Sequence, residues 1–280
     1  IAGSGNPDLE PEISTEVELG MEADLFRGRA GLELTWYNKN SADALVAVPL
    51  PPSFGATATR MENIGEMQNT GIEGALNLTA VESEDVTWDL RFSVATNDNE
   101  VTSLGDEEPI IFGLLGSTQR HQVGNPAGSY FQRPIESFGD ANGDGIIDST
   151  EVVVGDSAEY IGQPFPTMEL TASTTLNLWG LFQLSALVDY KGGHQIFNAT
   201  LWDRCDAGVC EERYIEGASL ADQARWVAYD EESTVAGYIE DADFMKLREV
   251  SLTAYVPENW YQMFGASDMR LTVAGNNLVT

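Results

Sequence analysis

The chain has 280 residues, with 45 Asp and Glu against 14 Lys and Arg and a formal net charge of −31. A field of that sign repels phosphate backbones and argues against nucleic-acid binding. Although 42% of the residues are hydrophobic, no run approaches the roughly 18 consecutive apolar residues that a membrane-spanning helix needs, so helical membrane topology is excluded. The acidity suits divalent cations, basic partners or a salty habitat, and charge alone does not choose among them.

The opening segment IAGSGNPDLEPE has neither a basic start nor an apolar stretch, so no signal peptide is read there; an exported protein would make this chain an internal piece. From Glu16 to Asp24 the sequence alternates, with Val17, Leu19, Met21 and Ala23 on one face and Glu16, Glu18, Glu22 and Asp24 on the other. That period of two predicts a strand with one apolar and one wet side. After FRGR the alternation resumes with Ala30, Leu32, Leu34 and Trp36, and the pair reads as a hairpin. A third strand is predicted near Gly71 to Ala80, then the turn VESED and a fourth carrying Trp88, Leu90, Phe92 and Val94. The fifth lies at Met168 to Trp179, and Gly180 turns the chain into a sixth with Phe182, Leu184, Ala186, Val188 and Tyr190 on one face. A seventh runs about Phe244 to Val256 and an eighth about Asp268 to Ala274. In the seventh, Met245 and Leu247 are out of phase with Val250, Leu252 and Ala254, which predicts a bulge near Arg248 and Glu249.

Between the hairpins lie segments read as long and irregular: Asn38 to Met67, Asn97 to Pro166 and Lys191 to Asp243. Loops of that length argue against a compact soluble domain, whereas short turns on one side and long loops on the other are the pattern of an outer-membrane barrel. Lipid cannot satisfy a strand edge, so a spanning sheet closes, with alternate residues meeting hydrocarbon and a polar interior. Trp36, Tyr37, Trp88, Trp179, Tyr190 and Tyr255 are expected in the interfacial aromatic belts. A soluble β-sandwich alternates in the same way and stays open as an alternative at this point.

The sharpest local motif is DANGDGIIDSTE at 140–151. It sets oxygen ligands at Asp140, Asn142, Asp144, Asp148 and Glu151, adds the Ile146 carbonyl, and places Gly145 at the sharp turn: the ligand order of an EF-hand-type calcium loop. Ile147 is expected to anchor it, and an isolated calcium loop stiffening a long segment is predicted, without flanking EF-hand helices. An acidic turn without an ion is the bland alternative. Cys205 and Cys210, the only cysteines, stand in CDAGVC and suggest a small-loop disulfide and an oxidising compartment, two free thiols being the other reading. His121 and His194 lack metal-ligand spacing to that pair and lack a nucleophile partner, so neither a zinc site nor catalysis is read, and the protein is not expected to be an enzyme. Tyr130, Phe131, Phe138, Trp202, Trp226 and Tyr229 either stack on a ligand or, more commonly, pack loops together.

The stretch GNPDLEPEISTEVELGMEADLFRGRAGLELTWYNKN, with Asn6, Pro7, Leu9, Pro11, Glu12, Ser14, Tyr37, Asn38 and Lys39, resembles the mid-barrel region of TonB-dependent receptors, especially the SusC/RagA-type branch. Further strings follow in family order: Asn69 to Glu73, Asp140 to Gly145, Tyr160 to Gly162 with Pro164 and Pro166, Lys246 to Leu252, and Gly275 to Leu278. The resemblance implies an all-β fold: an antiparallel transmembrane β-barrel, here about eight strands of a larger one, with long extracellular loops at 97–166 and 191–243. It implies residence in the bacterial outer membrane among its lipids and import of a nutrient, an oligosaccharide or a peptide, with energy from a TonB complex acting through a plug domain absent from this chain. A SusD-like surface lipoprotein is an implied partner. The alternatives are a small structural or adhesive barrel and a secreted calcium-binding β-domain. No substrate-binding residue is assigned.

Overall fold

The structure, a computed structural model, describes residues 3–49, 59–105, 108–211 and 218–280. In chain order the first strands are β1 (Gly3–Ser4), β2 (Ile13–Leu25), β3 (Ala30–Pro49), β4 (Thr59–Glu82), β5 (Val86–Thr96) and β6 (Asp98–Ser103). Six short strands follow: β7 (Ile110–Phe112), β8 (Gln119–His121), β9 (Ser129–Gln132), β10 (Ile135–Phe138), β11 (Val152–Val154) and β12 (Glu159–Gly162). The remainder is β13 (Met168–Leu178), β14 (Phe182–Gly192), β15 (Gln195–Phe197), helices α1 (Ala199–Asp206) and α2 (Leu220–Glu232), β16 (Ile239–Asp241), β17 (Phe244–Tyr255), α3 (Glu258–Tyr261) and β18 (Arg270–Val279).

One large sheet dominates, with its long strands in the order β18-β17-β14-β13-β5-β4-β3-β2. These are the eight strands that the alternation predicts, each antiparallel to its neighbour. The register carries the alternation from strand to strand. Met21, Leu34, Gly74, Val94, Leu170, Tyr190 and Met245 form one row across seven strands, and Ala23, Leu32, Leu76, Phe92, Ala172, Val188 and Leu247 form the next. A slip of one residue in any strand would put its apolar set among the carboxylates of the opposite face, so the rows themselves specify the pairing.

The apolar face has no second layer. Leu19 is 67% exposed, Phe92 43% and Leu271 66%; β7 meets the large sheet through Ile110 against Val101 and Leu104, beyond these rows. A soluble sandwich buries such rows, at about 25 cal/mol per Å² of apolar surface. This sheet presents them instead, which removes the sandwich alternative. One hydroxyl on that face, Thr174, accepts a hydrogen bond from the Trp88 indole Nε1 at 2.8 Å, leaving neither polar group facing hydrocarbon alone.

The opposite face is polar and cross-linked. Lys191 pairs with Glu169 at 2.8 Å and Thr79 donates to Asp89 at 2.8 Å. Tyr37 lies on this face rather than in an aromatic belt, its hydroxyl donating to the Thr96 carbonyl at 3.2 Å and to Asn97 at 3.1 Å. It sits over Gly71, where an added Cβ would collide with the Thr96 oxygen and the Tyr37 ring, so this position admits only glycine. Tyr255 is likewise on the polar parity, opposite Arg270.

The phase slip in the seventh strand is a bulge at Arg248. Leu187 pairs with Glu249 and Val188 with Leu247, so Arg248 is the extra residue. The bulge returns Met245 and Leu247 to the apolar face, and the Arg248 guanidinium closes on Asp189 at 2.6 and 3.0 Å.

At one end β2–β3, β4–β5 and β13–β14 are joined by short turns, while the β17–β18 connection, residues 256–269, carries α3. Trp179 and Gly180 both have positive φ, 52° and 63°, and Leu181 N–H closes on the Leu178 carbonyl at 2.9 Å. That geometry is a type I′ hairpin, whose twist matches the strands.

At the other end the sequence reading needs correction. The segment 38–67 is not an irregular loop: β3 continues to Pro49 and β4 begins at Thr59, paired throughout apart from shifts at Ser41, Ala44 and Leu45. Residues 50–58 of that predicted loop lie outside the described residues. The strands here are 20 and 24 residues long, whereas about 9–11 tilted residues cross a bilayer core. Beyond that depth no hydrocarbon enforces a period of two; Ser41, Ala44 and Val48 are buried in protein, and Val46, Ile64 and Met67 pack against Val101, Leu104 and Ile110. Amide and hydroxyl side chains tie the extension, Asn38 to Thr70 at 3.1 Å and Asn99 to Asn69 at 2.9 Å. Among the described residues no helix is long and apolar enough to cross a membrane.

Candidate functional site

The end opposite the short turns carries the segments 97–166 and 191–243, and neither is irregular. The first holds a small sheet in the order β12-β9-β8-β7 and the hairpin β10–β11; the second holds the hairpin β15–β16 and two helices. Two conventional cores lie here, one of Val101, Leu104 and Ile110 and the other around Tyr238. Cys205, Cys210, Val235 and Tyr238 are buried, with Phe197, Leu201, Trp202, Trp226 and Tyr229 packed around them. Tyr229 is the hub, with ring centroids 5.9 Å from Trp202, 5.7 Å from Trp226 and 6.2 Å from Tyr238. Tyr130 and Phe131 are buried in β9. Of the aromatics proposed to meet a ligand or pack the loops, these five pack, and Phe138 stays exposed.

The two cysteines form a disulfide, with Cα atoms 4.7 Å apart. It closes the end of α1, which is started by Asn198 accepting from Leu201 N–H at 3.0 Å. The second helix begins at Ser219, whose hydroxyl oxygen accepts from Asp222 N–H at 3.1 Å and whose O–H donates to the Asp222 carboxylate at 2.7 Å. The Ser-Leu-Ala-Asp string is a capping signal that sequence reasoning passed over. The Ser219 hydroxyl, with Arg225 behind it, holds the Asp222 carboxyl below the usual carboxylate range.

The acidic loop 140–151 is the tip of the β10–β11 hairpin. The ladder brings the two ends of the motif together, Gly139 N–H bonding the Glu151 carbonyl at 3.1 Å. Inside, Asp140 accepts from Gly143, Asp144 and Gly145 N–H at 2.6, 3.1 and 2.8 Å. Asn142 accepts from Asp144 N–H at 2.9 Å, and Asp144 from Ile146 N–H at 2.8 Å. Glu151 reaches back to Ala141 and Asn142 N–H through one oxygen, and to Asp148 N–H through the other, at 2.8, 3.3 and 3.2 Å. Asp148 accepts from the Thr150 hydroxyl and N–H, which hold its carboxyl below the ordinary range. Gly143 and Gly145 take φ of 79° and 81°, the left-handed turns the motif requires.

The donor set therefore matches a hard cation in type: four carboxylates, one amide oxygen and the Ile146 carbonyl. As arranged, the carboxylates are turned onto loop N–H groups, and among the described residues no three His, Cys, Asp or Glu side chains form a cluster that holds a metal.

Ile147 is 2% exposed, and the sequence did not say what it docks on. The partner is α2. Gln223, itself 2% exposed, accepts from Ile147 N–H at 2.9 Å and donates to the Gly145 carbonyl at 3.1 Å. At the far end of α2 Arg133 pairs with Glu232 at 3.0 Å, and the Thr234 hydroxyl donates to the Arg133 carbonyl at 2.6 Å. The two long segments are thus joined to one another. A third link ties the second segment to the wall: Asp243 accepts from Gly193 N–H at 2.8 Å and from the Tyr190 hydroxyl at 3.1 Å. The Gly193 N–H is the main cause that holds the Asp243 carboxyl below its usual range.

Comparison with known proteins gives a consistent outcome. Residues 1–278 match the family model described as TonB dependent receptor-like, beta-barrel. TonB-dependent receptor P26 of Formosa agariphila is 24% identical over 315 residues, covering 98% of this chain and 30% of that protein. TonB-dependent receptor SusC of Bacteroides thetaiotaomicron is 31% identical over 164 residues, covering 51% of the chain and 16% of that protein. Among solved structures, the RagAB peptide transporter superposes with a TM-score of 0.76 at 20% identity, over 99% of this chain and 32% of that one. The outer membrane transporter YddB from Escherichia coli superposes at 0.52 with 8% identity over 99% of this chain, a likeness of fold alone. The chain spans about a third of the length of the full-length relatives it matches.

Proposed function

Because the chain belongs to the TonB-dependent receptor β-barrel family of outer-membrane proteins, we propose that its protein imports an oligosaccharide or a peptide across the outer membrane with energy from the TonB system. The observation that carries this is the family match over 1–278 together with the uncovered apolar rows on eight strands. In this reading the short turns face the periplasm and the segments 97–166 and 191–243 form part of the outer vestibule. The wall is a passive conduit with no catalytic step. A SusD-like lipoprotein covers the vestibule, a partner supported by the likeness to SusC and to RagAB. Placement in the outer membrane sets aside the secreted calcium-binding domain.

The test is uptake by cells lacking the gene. Labelled oligosaccharides and peptides are offered with and without a protonophore; loss of proton-gradient-dependent uptake of one class is the expected result, and unchanged uptake of both would refute the import reading.

The second part of the proposal is that Asp140, Asn142, Asp144, Asp148, Glu151 and the Ile146 carbonyl hold calcium. What supports it is the spacing of oxygen donors on a loop whose ends the β10–β11 ladder brings together. The ion would supply positive charge to a strongly acidic tip, stiffening it. Limited proteolysis of 139–155 in calcium and in chelator tests this, with protection by calcium expected and equal cleavage counting against it.

A further inference from the structure

We infer that Gln223 is a positioning residue that locks the acidic loop to helix α2, so that loop and helix loosen as one unit. Residues 145–147 and 223 are 76 to 78 positions apart in the chain, and the side chain that joins them is almost fully buried. Its amide uses both ends on one short stretch of backbone: the oxygen takes Ile147 N–H at 2.9 Å and the nitrogen gives to the Gly145 carbonyl at 3.1 Å. That is the pairing a neighbouring β-strand would offer, supplied here by one side chain. The same nitrogen also donates to the Ala218 carbonyl at 3.2 Å, just ahead of the helix cap at Ser219. Loop and helix start are therefore held by a single group.

The geometry also explains why the residue is Gln. An amide presents one donor and one acceptor in a plane, matching a carbonyl and an N–H two residues apart. Met keeps the length and loses both the donor and the acceptor. Ala removes the side chain as well and leaves the same buried backbone groups without partners. The stretch that Gln223 grips brackets Ile146, whose carbonyl is a predicted calcium ligand, so the clamp also fixes how that oxygen is presented. This last point alone rests on the calcium reading.

Hydrogen exchange on the protein in outer-membrane vesicles tests the inference, read at residues 139–155, at α2 and, as an internal reference, at β13 and β14. In the wild-type protein the loop and α2 are expected to exchange slowly and together. In Gln223→Ala both are expected to exchange about tenfold faster or more, since the three hydrogen bonds of the amide are lost, while β13 and β14 are unchanged. Gln223→Met gives the same loosening without removing side-chain volume. Unchanged loop exchange in both variants, or a loosened loop beside an unaltered α2, overturns the inference. Should Gln223→Ala also disturb β13 and β14, the near-isosteric Gln223→Met variant decides alone, since it leaves packing in place and removes the donor and the acceptor. A calcium titration separates the two claims. Wild-type protection that rises at the loop and α2 together, and only at the loop in the Gln223 variants, supports the coupling. Protection that rises only at the wild-type loop refutes the coupling, and a loop indifferent to calcium refutes the calcium reading while the clamp is judged on the variants.

Discussion

The wall and the outer segments are built on opposite solutions to the same problem. At membrane depth the wall has no core among the described residues: its apolar residues form exposed rows on one face, and its polar residues pair across the other through Arg248 with Asp189 and Lys191 with Glu169. The outer segments have a miniature soluble core of Tyr238, Cys205, Cys210 and Val235, ringed by aromatics and closed by a disulfide. In the wall, hydrocarbon does what a second sheet does in a sandwich. In the outer segments, water surrounds the chain, so a staple, two capped helices and a buried amide do that work.

The difference predicts where substitutions hurt. The largest effect is expected at Phe92, in the apolar row of Ala172 and Leu76. Phe92→Arg places a charge against hydrocarbon at a cost of about 2–4 kcal/mol near mid-depth, and heat-modifiable migration in gels should show failed assembly. Ser93→Arg, one residue away on the polar face, should assemble normally; equal damage from both would erase the distinction between faces.

A smaller, local effect is expected from Cys205→Ser with Cys210→Ser. A loop this short contributes roughly 2 kcal/mol when closed. Proteolysis should then begin within 199–211 while the wall stays resistant, and a wall that failed to assemble would mean that the two regions are not separable.

The smallest effect is on pH dependence. Asp148, Asp222 and Asp243, all in the outer segments, have carboxyls held below their ordinary range by Thr150, Ser219 and Gly193 respectively. A depressed folded-state value means that the contribution is complete above the unfolded value of about 4 and is lost as pH falls through the folded value. Acidification from about pH 6 toward 3 should therefore loosen 140–151 and α2 before the wall, seen as proteolytic access; stability rising on acidification would have the wrong sign.

The same division governs what was legible in the sequence. Eight strands and the slip at Arg248 could be read because lipid on one side and water on the other impose a period of two over every crossing. Where β3 and β4 rise past that depth, as at Asn38 to Ser41, hydrocarbon no longer faces one side, polar residues such as the buried Ser41 meet protein instead and the period vanishes, so the segment reads as loop although it is paired. The helices were missed because α2 buries only Gln223, Ala224 and Ala228, a stripe too narrow and too polar to register; the Ser219 and Asp222 cap was the available signal. The acidic loop was legible as a local string with its glycines. Its attachment to Gln223 was not, since no local pattern reports a partner 76 positions away.

In this division of the molecule the apolar rows meet hydrocarbon. A nitroxide scan of β14 from Gln183 to Tyr190, in the protein reconstituted in phospholipid vesicles, tests it directly. Collision with oxygen should peak at Leu184, Ala186, Val188 and Tyr190, and collision with a water-soluble nickel chelate at Gln183, Ser185, Leu187 and Asp189. Loss of that alternation, with both parities equally wet or equally shielded, would contradict it.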